Sequence, residues 1–273
     1  MSEEKAIDAV KEMNTITSVY KGLQELGVKN GDTLLVHSSL SSLGWVCGGA
    51  QGVVMALLKA VGEKGTLVMP THSGDISDPS EWRYPPVPKE WVDEIYEMMP
   101  AFDINLSPSR GMGKSAELFR NLPKTIRSNH PQVSFCASGN VAEEITREHE
   151  LTPSFGMNTP IGRMYELGGK VLLLGVGYDS CSSFHLSEVL SENMPSKRMG
   201  AAIIENKKRT WKWFEDYAYD SDKDFEELGM AFEDTGMVRT GYIGNASCKI
   251  FSLKEGVDFA TTWLKKNRFH LDA

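Results

Sequence analysis

His185 and Glu188 stand three residues apart in the stretch Phe184-His185-Leu186-Ser187-Glu188, with the hydroxyls of Ser182 and Ser183 just upstream. On a helix this spacing puts both side chains on one face. An imidazole beside a carboxylate is a general-base arrangement. The ring titrates near neutral pH, and the acid fixes its tautomer and stabilises the imidazolium. The other reading is a surface histidine in a helix's first turn, in ordinary contact with a residue one turn on. A base needs a rigid support, and the preceding residues offer one. Residues 171–174 form a short apolar run closed by Gly175 and Gly177, the pattern of a buried strand ending in a turn.

The elements before this stretch alternate. Residues 18–26 read as an amphipathic helix ended by Gly27, and 33–36 as a strand running into His37-Ser38-Ser39-Leu40-Ser41-Ser42-Leu43-Gly44. A second helix over 50–61 and a strand over 65–70 follow, which is an α/β signature. A Gly/Ser loop leading into a helix can hold phosphate or a thioester oxygen on unpaired backbone N–H groups, or can simply be a flexible connection. Neither GxxxxGK[ST] nor GxGxxG occurs.

From residue 71 to 109 the chain becomes rich in proline and aromatics, including Trp82, Tyr84, Trp91 and Phe102. Such an insertion is a lid or binding loop, or a packed loop over a core edge, and its aromatics argue against disorder. Arg110, Lys114, Arg120 and Arg127 then concentrate positive charge, which fits phosphate contacts or solvated helix charges. His130 and His149 read as turn and surface histidines. Residues 201–213 suggest a hairpin around Asn206. An acidic segment over 214–234, with Glu215, Asp216, Asp220, Asp222, Asp224, Glu226, Glu227, Glu233 and Asp234, is a surface for a polycation or the outer face of a helix. Late strands at 238–243 and 248–252 and a helix over 257–266 close the chain.

Composition narrows the function classes. The 273 residues carry a net charge of −8, and Cys47, Cys136, Cys181 and Cys248 lack the paired spacing of a zinc site or disulfide framework. Free thiols, no apolar run of about 20 residues and no signal-peptide core predict a cytoplasmic protein without a membrane span. The acidic balance and missing basic stripe argue against nucleic acid and favour a cationic partner. No metal is implied.

Four segments in order, HSSLSSLG, RGMGKSAELFR, RSNHPQVSFCASG and GKVLLLGVGYDSCSSFHLSE, resemble the aminoglycoside 3-N-acetyltransferase family from about residue 18 to the end of the chain. The resemblance implies a single α/β domain with a central mixed sheet flanked by helices. It implies acetyl-CoA as acyl donor and an aminoglycoside amine, the 3-amino group of 2-deoxystreptamine, as acceptor, in direct transfer without a covalent enzyme intermediate. His185 corresponds to the general base, Glu188 to its carboxylate partner and Asp179 to a second candidate for that partner. Ser182 stands where the family often has threonine. His37, Ser38, Ser39, Leu40, Ser41, Leu43 and Gly44, and Arg110, Gly111, Met112, Gly113, Lys114 and Ser115, fall in segments that line the coenzyme A site. Lys114, Arg120 and Arg127 are candidates for phosphate contacts. The insertion and the acidic segment are expected to shape the acceptor pocket. An acyltransferase for another amine, or a coenzyme A-binding protein without turnover, stays open, as does a homo-oligomer. A serine hydrolase built on Ser38 or Ser182 is disfavoured because the GxSxG elbow is missing.

Overall fold

The computed structural model describes residues 3–8, 10, 12–219 and 224–269. In chain order the elements are α1 (Glu3–Asp8), α2 (Ile16–Leu26), β1 (Thr33–Ser38), α3 (Gly49–Val61), β2 (Thr66–Pro70), α4 (Val92–Met98), α5 (Gly113–Arg120), β3 (Ile126–Arg127), β4 (Phe135–Gly139), α6 (Ala142–Thr146), α7 (Pro160–Glu166), β5 (Lys170–Leu174), α8 (Phe184–Ser191), β6 (Ser196–Glu205), β7 (Lys208–Tyr217), α9 (Phe225–Glu233), β8 (Arg239–Ile243), β9 (Ala246–Ser252) and α10 (Leu253–Asn267). Seven strands form one mixed sheet in the order β3-β4-β2-β1-β5-β9-β8. The three central strands, β2, β1 and β5, are parallel, and the flanking strands pair antiparallel.

Side-chain alternation along the central strands explains the layers. Leu34, Val36, Leu67, Met69, Leu172 and Leu174 pack under α2, α3 and α5. Their neighbours Leu35, Val68, Val171 and Leu173 point the other way, against α6 to α10. Local signals set the element ends. Thr15 and Ser18 form a reciprocal capping box on α2, and Gly27 ends that helix at φ 111°.

Two excursions leave this sandwich. The insertion after β2 contains α4, and the β6–β7 hairpin forms a two-stranded sheet turning at Asn206 and Lys207, both at positive φ as a type I′ turn requires. They pack on each other through Ile76, Phe102, Ala201 and Ala202, with Tyr96 against Trp211 at 4.8 Å. Arg127 is not part of a basic surface: its buried guanidinium donates to the Thr71 and Ser107 carbonyls (2.7 and 2.5 Å) and to Ser73 Oγ (2.8 Å). It therefore ties together both roots of the insertion. Burial lowers its pKa to about 10.

His130 and His149 depart from the surface reading. His130 is buried and accepts the N–H groups of Gln132 and Val133, while His149 bridges Ser128 Oγ and the Ser154 carbonyl, both at 2.9 Å. Asp220 and Asp222 of the acidic segment lie outside the described residues. Elsewhere in that segment Asp224 pairs with Arg268, Glu226 accepts the Asp179 N–H, and Glu233 lies 3.9 Å from Lys249. These three carboxylates therefore serve internal contacts.

Candidate active site

Parallel strands end together, so the loops after β1, β2 and β5 converge at one end of the sheet, where ligands of open α/β sheets bind. Each loop brings an imidazole. His37 is the penultimate residue of β1, His72 follows β2, and His185 opens α8 after β5. Gly175, at φ 72°, ends β5, and a Cβ there would come within 2.6 Å of the Ser42 side chain. Its missing side chain lets the β5 loop close on the serine-rich turn after β1, where Ser42 Oγ donates to the Gly175 carbonyl at 2.8 Å.

His185 Nδ1 lies 2.6 Å from Glu188 Oε2. The Glu188 side chain is 0% exposed, and its other oxygen accepts from Arg268, which also donates to Asp224 at 2.7 Å. The buried carboxylate is thus held from one side by imidazole and from the other by guanidinium. Phe155, Tyr219 and Phe225 surround the His185 ring at centroid distances of 4.7 to 5.3 Å. With Nδ1 engaged by Glu188, Nε2 is the nitrogen left for a reactant.

Three adjoining cavities meet here. The first, about 800 Å³, lies between the β1 loop (Ser38 to Ser41, Gly44), the Trp45–Gly49 segment, and Gly111, Gly113 and Lys114. The second, about 490 Å³, lies between the insertion and the hairpin, with Asp78, Glu81, Trp82, Arg110, Lys197, Arg198 and Asp216 in its wall. The third, about 300 Å³, joins them: it shares Ser38, Gly111 and Val176 with the first and His72, Met112 and His185 with the second. His185 thus lies where two binding spaces meet.

The residues singled out from sequence separate within this geometry. Ser38, Ser39, Leu40, Ser41, Gly44, Gly111, Gly113 and Lys114 line the large cavity. His37, Ser182 and Asp179 line the connecting one. Glu188, not Asp179, is the carboxylate in contact with His185; the Asp179 carboxylate accepts from Ser180 Oγ at 3.3 Å. Arg110 faces the second cavity and pairs with Asp75. Arg120 is held by Glu117 and the Asn105 carbonyl (2.8 Å), Leu43 is core, and Ser115 is buried. Among the described residues no serine hydroxyl is bonded to His185, and no group of three ligands could hold a metal ion.

Sequence reasoning passed over His72, Arg268 and the aromatic surround of His185. His72 carried a usable signal, since it follows a strand end as His37 and His185 do. Burial, and then the neighbouring imidazoles, lower the pKa of both His37 and His72 to about 3, so both rings are neutral at ordinary pH.

Comparison with known proteins agrees with this geometry. The family model described as aminoglycoside 3-N-acetyltransferase matches residues 35–265. A Bacillus subtilis (strain 168) relative, the SPbeta prophage-derived aminoglycoside N(3')-acetyltransferase-like protein YokD, is 44% identical over 97% of each chain. The aminoglycoside N(3)-acetyltransferase VII of Streptomyces paromomycinus is 32% identical over 92% of each. Among solved structures, YokD superposes with a TM-score of 0.95 at 43% identity, over 97% of this chain and 98% of that one. AAC-IIIb, solved as a binary complex with CoASH, superposes with a TM-score of 0.82 at 29% identity, over 93% and 97%. No helix among the described residues is long and apolar enough to cross a membrane. Sheet order, strand-end site and matched length lead to one assignment: the chain belongs to the aminoglycoside 3-N-acetyltransferase family.

Proposed function

We propose that the protein transfers an acetyl group from acetyl-CoA to an aminoglycoside amine, the 3-amino group of 2-deoxystreptamine, with His185 as general base. The observation that carries this reading is the His185–Glu188 pair at the junction of two cavities. The larger cavity fits coenzyme A. It is roomy, at about 800 Å³, rich in glycine and serine, and lined by Lys114 with no carboxylate among the described residues, which suits a thiol arm attached to phosphates. When bound, acetyl-CoA supplies an acetyl carbon activated as a thioester.

The chain's own residues then have defined work. His185 Nδ1–H donates a hydrogen bond to Glu188, which leaves the Nε2 lone pair for the reactants. As the amine nitrogen bonds to the acetyl carbon, Nε2 takes its proton, and Glu188, braced by Arg268, stabilises the imidazolium. The C–S bond breaks, and the same proton passes to the leaving sulfur, giving amide and free thiol. Phe155 and Tyr219 shield the ring from bulk water. Asp78, Glu81 and Asp216 are the carboxylates in the wall of the second cavity, where ammonium groups of the acceptor would meet them.

The second cavity also carries Arg110, Lys197 and Arg198. This mixed wall favours, as a second reading, an amine that bears an anionic group. The test is acetyl-CoA-dependent thiol release against aminoglycosides, simple polyamines and amines carrying a carboxylate. Turnover of an aminoglycoside supports the first reading, and turnover confined to the acidic amines supports the second. His185→Ala is expected to lower turnover by about two to four orders of magnitude while acetyl-CoA binding persists. Equal turnover in mutant and wild type would remove His185 from the mechanism.

A further inference from the structure

The connecting cavity holds a group that the proton chemistry leaves unused. His37 lies on β1, the middle one of the three parallel strands, and on the sheet face that carries Leu35 and the α8 side of the core. It is 5% exposed, and its ring has no hydrogen-bond partner among the described residues; Nε2 is fully buried. Nε2 stays unpaired whatever binds in the cavity, a cost that the choice of tautomer can only reduce. Burial also keeps the ring uncharged, leaving one N–H and one lone pair. A buried lone pair is cheaper to leave unpaired than a buried N–H, which favours the tautomer with the proton on Nδ1 and makes Nδ1–H the donor without a protein partner.

The neighbouring residue Ser38 lines both the donor cavity and the connecting cavity, whereas His37 lines only the connecting one. The cavity that joins the donor side to His185 is lined by both His37 and His185. His72, by contrast, also borders the acceptor cavity. We propose that the His37 imidazole donates a hydrogen bond to the carbonyl oxygen of the acetyl thioester, the atom on which negative charge develops as the amine adds. This inference rests on the acetyl-transfer reading given above. No proton is transferred by His37. It supplies a fixed dipole at the reacting oxygen, and an uncharged imidazole can polarise a carbonyl without the reorganisation that a titrating group would bring.

The test separates this inference from the reading it rests on. Carbonyl-labelled acetyl-CoA is bound to the protein without an acceptor, and its thioester C=O stretch is read by difference infrared spectroscopy. The band is expected at lower frequency on wild type than on His37→Leu, with His37→Gln, which keeps an N–H donor, in between and His72→Leu unchanged. In thiol release, His37→Leu should lower kcat by about 10²–10³-fold with little change in the KM for acetyl-CoA. A C=O band in the same place on wild type and His37→Leu, or one that moves only with His72→Leu, would overturn the proposal whether or not an aminoglycoside is turned over. Because the infrared measurement needs no acceptor, an incorrect acceptor assignment would show as absent turnover with the band shift intact.

Discussion

Four histidines in the described structure are held neutral by burial, and their effect on stability can be worked out in sign and size. In the fold His37 and His72 titrate near about 3 and His149 near about 4, against an ordinary 6.5, with burial the first cause in each. His130 is lowered in the same direction. Below pH 6.5 the unfolded chain binds protons that the folded one does not, so stability is full above that pH and falls as pH drops toward the folded values. From pH 7 to pH 5 each such histidine removes about 2 kcal/mol, hence about 6 kcal/mol for His37, His72 and His149 together, with His130 adding to it. That is comparable with a whole domain stability of about 5–15 kcal/mol. Urea unfolding from pH 8 to 4, followed by tryptophan fluorescence, should show the midpoint dropping steeply below pH 6.5. His72→Gln, which cannot charge, should recover about 2 kcal/mol of the loss between pH 7 and 5. A midpoint flat across this range would refute the claim that these rings are desolvated in the fold.

Two further outcomes follow from side chains around the site. Arg268→Met leaves the Glu188 carboxylate buried without its cation and should destabilise by about 3–5 kcal/mol, while Arg268→Met/Glu188→Gln costs less than the sum of the singles, with a coupling of about 1–3 kcal/mol. Denaturant titration of the four proteins measures this, and additive singles would show that the two groups do not act as a unit. Lys114→Ala should raise the KM for acetyl-CoA by about 3–10-fold at unchanged kcat, with the effect shrinking as salt rises. An effect on kcat alone would place Lys114 elsewhere in the cycle.

What the sequence made legible was whatever a short window contains. The run at 171–174, the glycines after it and the three-residue spacing of His185 and Glu188 are local, and the structure has them as β5, a turn and one face of α8. The hairpin at Asn206 was equally readable, because a tight turn needs residues tolerant of positive φ. Contacts that join distant segments were not. Nothing near Arg127 announces that it will be buried and clamp Thr71 to Ser107, and a cluster of basic residues in one stretch says little about which guanidinium faces solvent. Likewise Glu188 meets Arg268 only because α10 packs on α8, and His37, His72 and His185 meet only because three parallel strands end together. The antiparallel edges of the sheet had no signature beyond short apolar runs.

The hairpin has a consequence for how proteins of this kind diverge. It stands outside the seven-stranded sheet, and with the insertion it walls the second cavity, while the larger cavity is lined by the β1 loop and the start of α5. Substitutions or length changes at Lys197, Arg198 or Trp82 therefore leave the parallel strand ends and the His185–Glu188–Arg268 chain untouched. Descendants can acquire new amine preferences by remodelling two surface segments while inheriting the acyl-donor machinery unchanged, so close likeness across the sheet is compatible with quite different acceptors.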